Sequence, residues 1–354
     1  MGSVEIRDYR GDGTEVAGLL ERSWTRAYGG KSWFPLWDAR YFRWRLIDAC
    51  GDDRSLLMAA YVDDRLVGCV LAEVLEMRLR GDVIRGALSS WLGVEPGVQG
   101  RGVAMALAEA LKSRTRAQGS RLTVGITSAD PASSMRRFWN ALEERTPGDT
   151  RVFGKVNFWT RAFDGPAIAA ASLTTFERVA SRVTAPIPIG WLGWRTPAGV
   201  RRYEPGDLDR CLAWLEAQSA DADLAVKWSR ARLAMQLDHA YVTTLVIDDG
   251  ETGGFINWYA IDYQGRQKVR IGIIDLFAGT LSTARRIDLL KAACVQMRSE
   301  GVHMSMMMAS EASPSTPLLA AGFIPLPAHL DMFAIFPEAG LPLTPPMRVH
   351  TLFT

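Results

Sequence analysis

The chain has 354 residues, 48% apolar and 23% charged, a composition that buries real cores and excludes extended disorder. Its 41 basic and 39 acidic residues are mixed along the sequence, so the net charge of +2 marks no basic stripe and argues against nucleic acid as a partner. Four scattered cysteines without a C-x-x-C pair and four histidines without ligand spacing argue against a metal site or a disulfide framework. The polar start and the lack of any run of about 18 apolar residues point to a cytoplasmic protein with no membrane span.

In chain order, Val4 to Tyr9 alternates like a strand, and Asp12 or Thr14 can cap a helix through Val16, Leu19, Leu20, Trp24 and Tyr28. A Trp-rich stretch follows, and then Leu56 to Tyr61 and Leu66 to Met77 flank Val62-Asp63-Asp64-Arg65 as a hairpin. A strand over Val83 to Val94 leads into Pro96-Gly97-Val98-Gln99-Gly100-Arg101-Gly102 and a helix from Val103 to Gln118, stopped by Gly119. Next come a buried strand over Arg121 to Thr127, a helix starting at Asp130-Pro131 and carrying Met135, Phe138, Trp139 and Leu142, and a strand over Val152 to Phe163.

Residues Ala167 to Val183 read as helical, and the Pro/Gly-rich APIPIGWLGWRTPAG reads as a connector. Beyond it three segments recur once each in the same order: VRRYEPGDLDRCLAWLEA repeats the opening strand and helix, LVIDDGETGGFINWYAI the Asp-Asp hairpin, and the segment from Val269 to Gly301 the strand, turn and helix. Recurrence at this scale is the mark of a duplicated domain. The expected organisation is a first domain over 1–164, a connector over 165–197, a second domain over 198–340 and a tail over 341–354.

A strand that ends in a glycine-rich turn and enters a helix presents unpaired backbone N–H groups, and the positive end of the helix dipole, to one point in space. That is an anion site. The wording fits neither the dinucleotide fingerprint nor the P-loop. Gln99-Gly100-Arg101-Gly102-Val103-Ala104 behind Val94-Glu95-Pro96 closely resembles instead the Q/R-x-x-G-x-G/A signature of the GCN5-related N-acetyltransferase (GNAT) superfamily, and the likeness extends over residues 1 to about 164.

The resemblance implies an α/β fold with a mixed sheet, two GNAT-like domains in tandem, and acyl-CoA as co-substrate with no metal. The loop amides would hold the coenzyme's pyrophosphate and the preceding strand its pantetheine arm, which makes Leu92, Gly93, Val94, Gln99, Gly100, Arg101, Gly102, Val103 and Ala104 the expected donor site. In the second half the equivalent turn, Gly279-Thr280-Leu281-Ser282-Thr283, lacks the G-x-G, and Leu281 and Thr283 would block backbone approach. One donor site is therefore expected, with the second half shaping the acceptor pocket.

Attack of an amine on a thioester needs a base, an oxyanion donor and an acid for the leaving thiolate. The resemblance places the oxyanion donor on the backbone near Leu92 to Val94 and the acid on a tyrosine, but Trp139 stands there, which leaves water, Ser133 or Ser134. Base candidates are Asp275, which interrupts the apolar run Ile271 to Phe277, and Glu73, with Glu76 behind them. The aromatics Trp33, Phe34, Trp37, Tyr41, Phe42 and Trp44 form either an acceptor wall or a satellite core, and His303 to Met308 a buried strand or a flexible apolar pocket.

The reading that follows is an N-acyltransferase moving an acetyl or longer group from CoA, or from the phosphopantetheine of an acyl-carrier protein, to an amine of a small molecule or peptide in specialised metabolism. An antibiotic-modifying acetyltransferase and a non-catalytic acyl-CoA sensor are the alternatives, and the chain could act as a monomer or a homodimer.

Overall fold

The computed structural model describes residues 3–175, 178–179, 197–309, 315–345 and 347–350. The first half runs β1 (Glu5–Asp8), α1 (Thr14–Tyr28), β2 (Phe34–Leu36), α2 (Ala39–Phe42), β3 (Leu57–Val62), β4 (Arg65–Leu79), β5 (Asp82–Val94), α3 (Val103–Ala117), β6 (Leu122–Ser128), α4 (Ser134–Arg145) and β7 (Thr150–Ala162). In the second half β8 (Val200–Arg202), α5 (Leu208–Ser219), β9 (Leu224–Val226), α6 (Arg230–Leu237), β10 (Val242–Asp248), β11 (Gly253–Gln264), β12 (Lys268–Gly279), α7 (Thr283–Ser299), β13 (Met304–Ala309), β14 (Ile324–Ile335) and β15 (Val349–His350) largely repeat that order.

Local chemistry explains most of these boundaries. Asp63 and Asp64 both take left-handed angles, φ 50° and 58°, the two-residue turn whose twist suits a hairpin. The α4 helix begins at Ser134, three residues later than Asp130-Pro131 suggested, because the Asp130 side chain accepts from Ala132 N in a local turn and Ser133 is the cap, accepting from Arg136 N. The helix expected from Ala167 is described as Gly165–Ala171, capped by Asp164. Most of the rest of that expected helix, and the connector through residue 196, lie outside the described residues.

The strands join in one sheet of order β1-β3-β4-β5-β6-β14-β7-β13-β12-β11-β10-β8. Hairpin neighbours are antiparallel; β5 with β6 and β12 with β13 pair in parallel, each across an intervening helix, and the short β9 pairs in parallel with β15. The halves exchange strands: β14, from the second, lies between β6 and β7 of the first, while β7 pairs on its other side with β13. Short strands cross as well, β2 onto β11 and β9 onto β4. Residues 165–197 thus separate two repeats in sequence without separating two sheets.

Helices cover both faces of the first half. Val103, Leu107 and Leu111 of α3 and Trp139 and Leu142 of α4 are buried with Val67, Val70, Phe333 and Ile335 on one face. On the other, Leu19 and Leu20 of α1 meet Tyr41, Phe42, Trp44, Leu57 and Leu71, and this core continues into Tyr259, Ile271 and Met306 of the second half. The aromatic stretch is therefore the hydrophobic joint between the halves: Tyr41 and Trp44 lie 5.5 and 5.3 Å from Tyr259, ring centroid to centroid.

Candidate active site

The parallel pairing of β5 with β6 covers only Gly86, Ala87 and Leu88 against Leu122, Thr123 and Val124. Beyond Leu88 the two strands part, and β6 keeps β14 on its other side. On β5 the split coincides with a bulge: Ser90 pairs with Leu71 and Gly93 with Cys69, so Trp91 and Leu92 face the single residue Val70. Trp91 sits at φ 55°, an unusual angle for a bulky side chain. The Cys69 thiol donates to its carbonyl at 3.3 Å, and its ring packs edge-on to Phe42 and Trp37.

Past the bulge, β5 ends in the turn that the sequence singled out. Glu95 takes two hydrogen bonds from Arg22 on α1, at 3.1 and 2.9 Å, and Val98 is buried, so the turn is anchored at its base while Gln99, Gly100, Arg101 and Gly102 are exposed. Gly100 and Gly102 have φ of 80° and 82°, and a Cβ at either would meet nothing within 4 Å. Glycine is there for the backbone angle and not for tight packing. Gly102 caps α3 with no side-chain hydrogen bond, and its carbonyl accepts from Ala106 N, leaving the N–H groups of Val103, Ala104 and Met105 at the open end of the helix. Gln99 Nε2 reaches back to Val94 O at 3.4 Å. A cavity of about 670 Å³ bordered by Arg116, Gly119 and Arg121 lies at the far end of α3, roughly 22 Å along a 15-residue helix, and so is separate from this loop.

The corresponding turn in the second half is closed by its own side chains. Ser282 caps α7, Leu281 is buried, and Arg286 donates to Gly279 O at 2.6 Å and Leu281 O at 3.0 Å. Gln218 accepts from Gly279 N at 2.8 Å. This turn presents no cradle.

Asp275 is the extra residue of a bulge in β12, since Asn257 pairs with Leu276 and Trp258 with Ile274. Its side chain is 1% exposed. It accepts from Gln236 Nε2 at 2.6 Å and lies 3.8 Å from Arg45 Nη1, which itself donates to Gln236 Oε1 at 2.6 Å; Gln236 also donates to Asn257. Burial raises the Asp275 carboxyl above its ordinary range, against the opposing charge of Arg45. Glu73, on β4, is held in a bidentate pair by Arg232 of α6, both contacts at 2.5 Å. Burial pushes its carboxyl up, but the Arg232 charge and hydrogen bonds outweigh that and leave it lowered. These six residues form a cross-brace in which Arg45 and Glu73 of the first half grip Asp275, Gln236 and Arg232 of the second.

Ser134 is exposed at the first turn of α4, and Trp139 is buried against Phe333, ring centroids 4.9 Å apart. Glu76 pairs with Lys227 at the surface. The methionine run is the buried strand β13. Among the described residues no group of three or more His, Cys, Asp and Glu is placed to hold a metal ion, and no helix is long and apolar enough to cross a membrane. Sequence reading missed Arg45, Arg232 and Gln236, whose partners are far away in the chain, and Trp91, whose backbone angle has no sequence mark.

The first half thus has a parallel pair that splits at a bulge and an open glycine turn whose helix N-terminus presents unpaired N–H groups. Residues 17–142 match the acetyltransferase (GNAT) family. No curated protein sequence gives a significant match. In fold the chain is similar to Saccharomyces cerevisiae N-myristoyltransferase solved with bound myristoyl-CoA and inhibitors, at 13% identity and a TM-score of 0.76 over 96% of this chain and 81% of that one. It is also similar to a GCN5-related N-acetyltransferase from Kribbella flavida, at 16% identity and 0.52 over 94% and 70%, and to one from Anabaena variabilis, at 13% and 0.55 over 94% and 73%. Residues 17–142 are thus matched by the GNAT family of acetyltransferases, and the chain as a whole shares the fold of these structures.

Proposed function

We propose that the chain transfers an acyl group from coenzyme A, or from the phosphopantetheine of a carrier protein, to an amine of a small molecule or peptide. The observation that carries this reading is the open, left-handed turn at Gly100 and Gly102 ahead of an uncapped helix, next to a strand that has lost its parallel neighbour. The donor supplies an activated thioester. In this reading the amides from Gln99 to Ala104 bind its diphosphate, and the freed edge of β5 from Leu92 through Gly93 to Val94 pairs with its pantetheine amides. In the same reading a backbone N–H near the Trp91–Leu92 bulge meets the negative charge developing on the carbonyl oxygen.

In this reading Glu73 and Asp275 brace the halves and are not the base. Glu73 is committed to Arg232 and lowered, and Asp275 is sealed from any substrate. The amine then loses its proton to water, and one donor site serves the chain because the second turn is filled by Leu281 and Arg286. Trp139 favours the alternative of a binder without turnover, since an indole is no acid. Thiol release from acetyl-CoA and longer acyl-CoAs, followed over a panel of amines and peptides, tests the proposal: amine-dependent release supports it, and donor binding with no release from any combination favours the binder.

A further inference from the structure

The cavity at the far end of α3 takes its walls from three parts of the chain: the last turn of α3 with the start of β6, the loop between α4 and β7, and the segment that leaves β14. Its volume, about 670 Å³, is that of a small-molecule site, for which about 300–1,000 Å³ is usual. The walls are held in place. Glu143 of α4 accepts from Gly148 N at 2.9 Å and from Thr150 N at 2.7 Å, which ties down the loop before β7. Directly after β14, Phe336 takes a left-handed angle, φ 52°, and its N–H donates to Asp149 O at 2.7 Å. Such an angle costs a bulky residue roughly 1–2 kcal/mol, and it is kept here beside the cavity.

The charges on these walls do not balance. Both acids are engaged: the buried Asp149 pairs with Lys112 at 2.5 Å, and Glu338 with Arg121 at 2.5 Å. Arg116 and Arg151 are left over, and neither side chain makes a hydrogen bond, ion pair or ring contact among the described residues. Arg151 attracts Glu143 only at longer range, because that carboxylate is spent on Gly148 and Thr150. Arg85 of β5, also without a partner among the described residues, lies beside the wall at Gly119, where an added Cβ would be 3.7 Å from its Cδ. The whole chain carries 41 basic and 39 acidic residues, so this excess is local. Helix geometry does not supply it either. The C-terminal end of α3 is the negative end of its dipole, and an anion here must be held by side chains.

We propose that this cavity is a second ligand site, for a metabolite-sized molecule bearing a phosphate ester or a pair of carboxylates, held between Arg116 and Arg151. Each guanidinium offers paired N–H donors that match either group, and the cavity has room for the body that carries it. The site lies roughly 22 Å along α3 from the glycine turn, and the inference stands without the donor-site reading.

Calorimetric titration of fructose 1,6-bisphosphate and of citrate tests it, at ~150 mM salt to screen attraction between exposed charges. The proteins are wild type, Arg116→Gln/Arg151→Gln, Ala339→Trp and Gly102→Val, each checked by melting. One molecule of at least one probe per chain is expected in wild type, and the relative affinity of the two tells phosphate from carboxylate. The arginine variant should bind about tenfold more weakly or worse. So should Ala339→Trp, which places an indole on the cavity wall and leaves every charge in place. Gly102→Val should bind as wild type does. No binding of either probe, binding unchanged in the arginine variant or in Ala339→Trp, or binding lost in Gly102→Val overturns the site.

Discussion

Replacing Arg232 by methionine removes the guanidinium from the Glu73 pair and leaves a carboxylate that is 14% exposed without its bidentate partner. Breaking a buried ion pair from one side costs about 3–5 kcal/mol, and because both side chains retain some solvent the lower end, ~3 kcal/mol, is the expected loss. For 354 residues the unfolding entropy near 60 °C is about 0.7 kcal/mol/K, so this loss lowers Tm by about 4 °C. The double variant Glu73→Leu/Arg232→Met, with no charge to bury, should recover most of it, and urea unfolding of the four proteins gives the coupling directly. Single losses below about 0.5 kcal/mol, or a double variant as poor as the sum of its parts, would refute the brace. The same series separates brace from base: Glu73→Gln should lose stability while its folded fraction keeps turnover within about threefold, whereas removing a general base costs about a hundredfold or more.

Two further perturbations follow from burial. His350 is 7% exposed and burial pulls its imidazole down to about 4, so the folded chain keeps it neutral while the unfolded chain protonates it near 6.5. Its contribution to stability is complete above that value and is lost as pH falls toward 4, by up to about 3 kcal/mol; urea midpoints at pH 7.5 and 4.5 should therefore differ less in His350→Gln than in wild type. Gly279→Ala should cost about 3 kcal/mol, because its Cβ would lie 2.5 Å from both Gly253 O and Gly254 Cα, backbone atoms that cannot swing aside. Gly100→Ala, with open space around it and only its left-handed angle to maintain, should cost about 1 kcal/mol, and thermal melts of the two give the contrast.

Local chemistry was legible in the sequence where neighbours in the chain decide it. The hairpin at Asp63-Asp64, the glycine turn into α3 and the repeated order of elements all depend on residues close together. Asp275 was conspicuous as a carboxylate inside an apolar run, but its partners Arg45 and Gln236 are set by α6 and by the segment after α2 packing across the joint, which no periodicity encodes. The exchange of β14 and β7 escaped for the same reason: each reads as an ordinary strand, and its neighbour is fixed only when both halves are present.

Calorimetric titration of coenzyme A into wild type and Gly102→Val bears most directly on whether main-chain amides at the end of β5 grip a diphosphate. One coenzyme per chain in wild type, with at least a tenfold weaker affinity in a variant that still melts as a folded protein, is the expected result. Equal affinity in both proteins, or no heat from either, would contradict it.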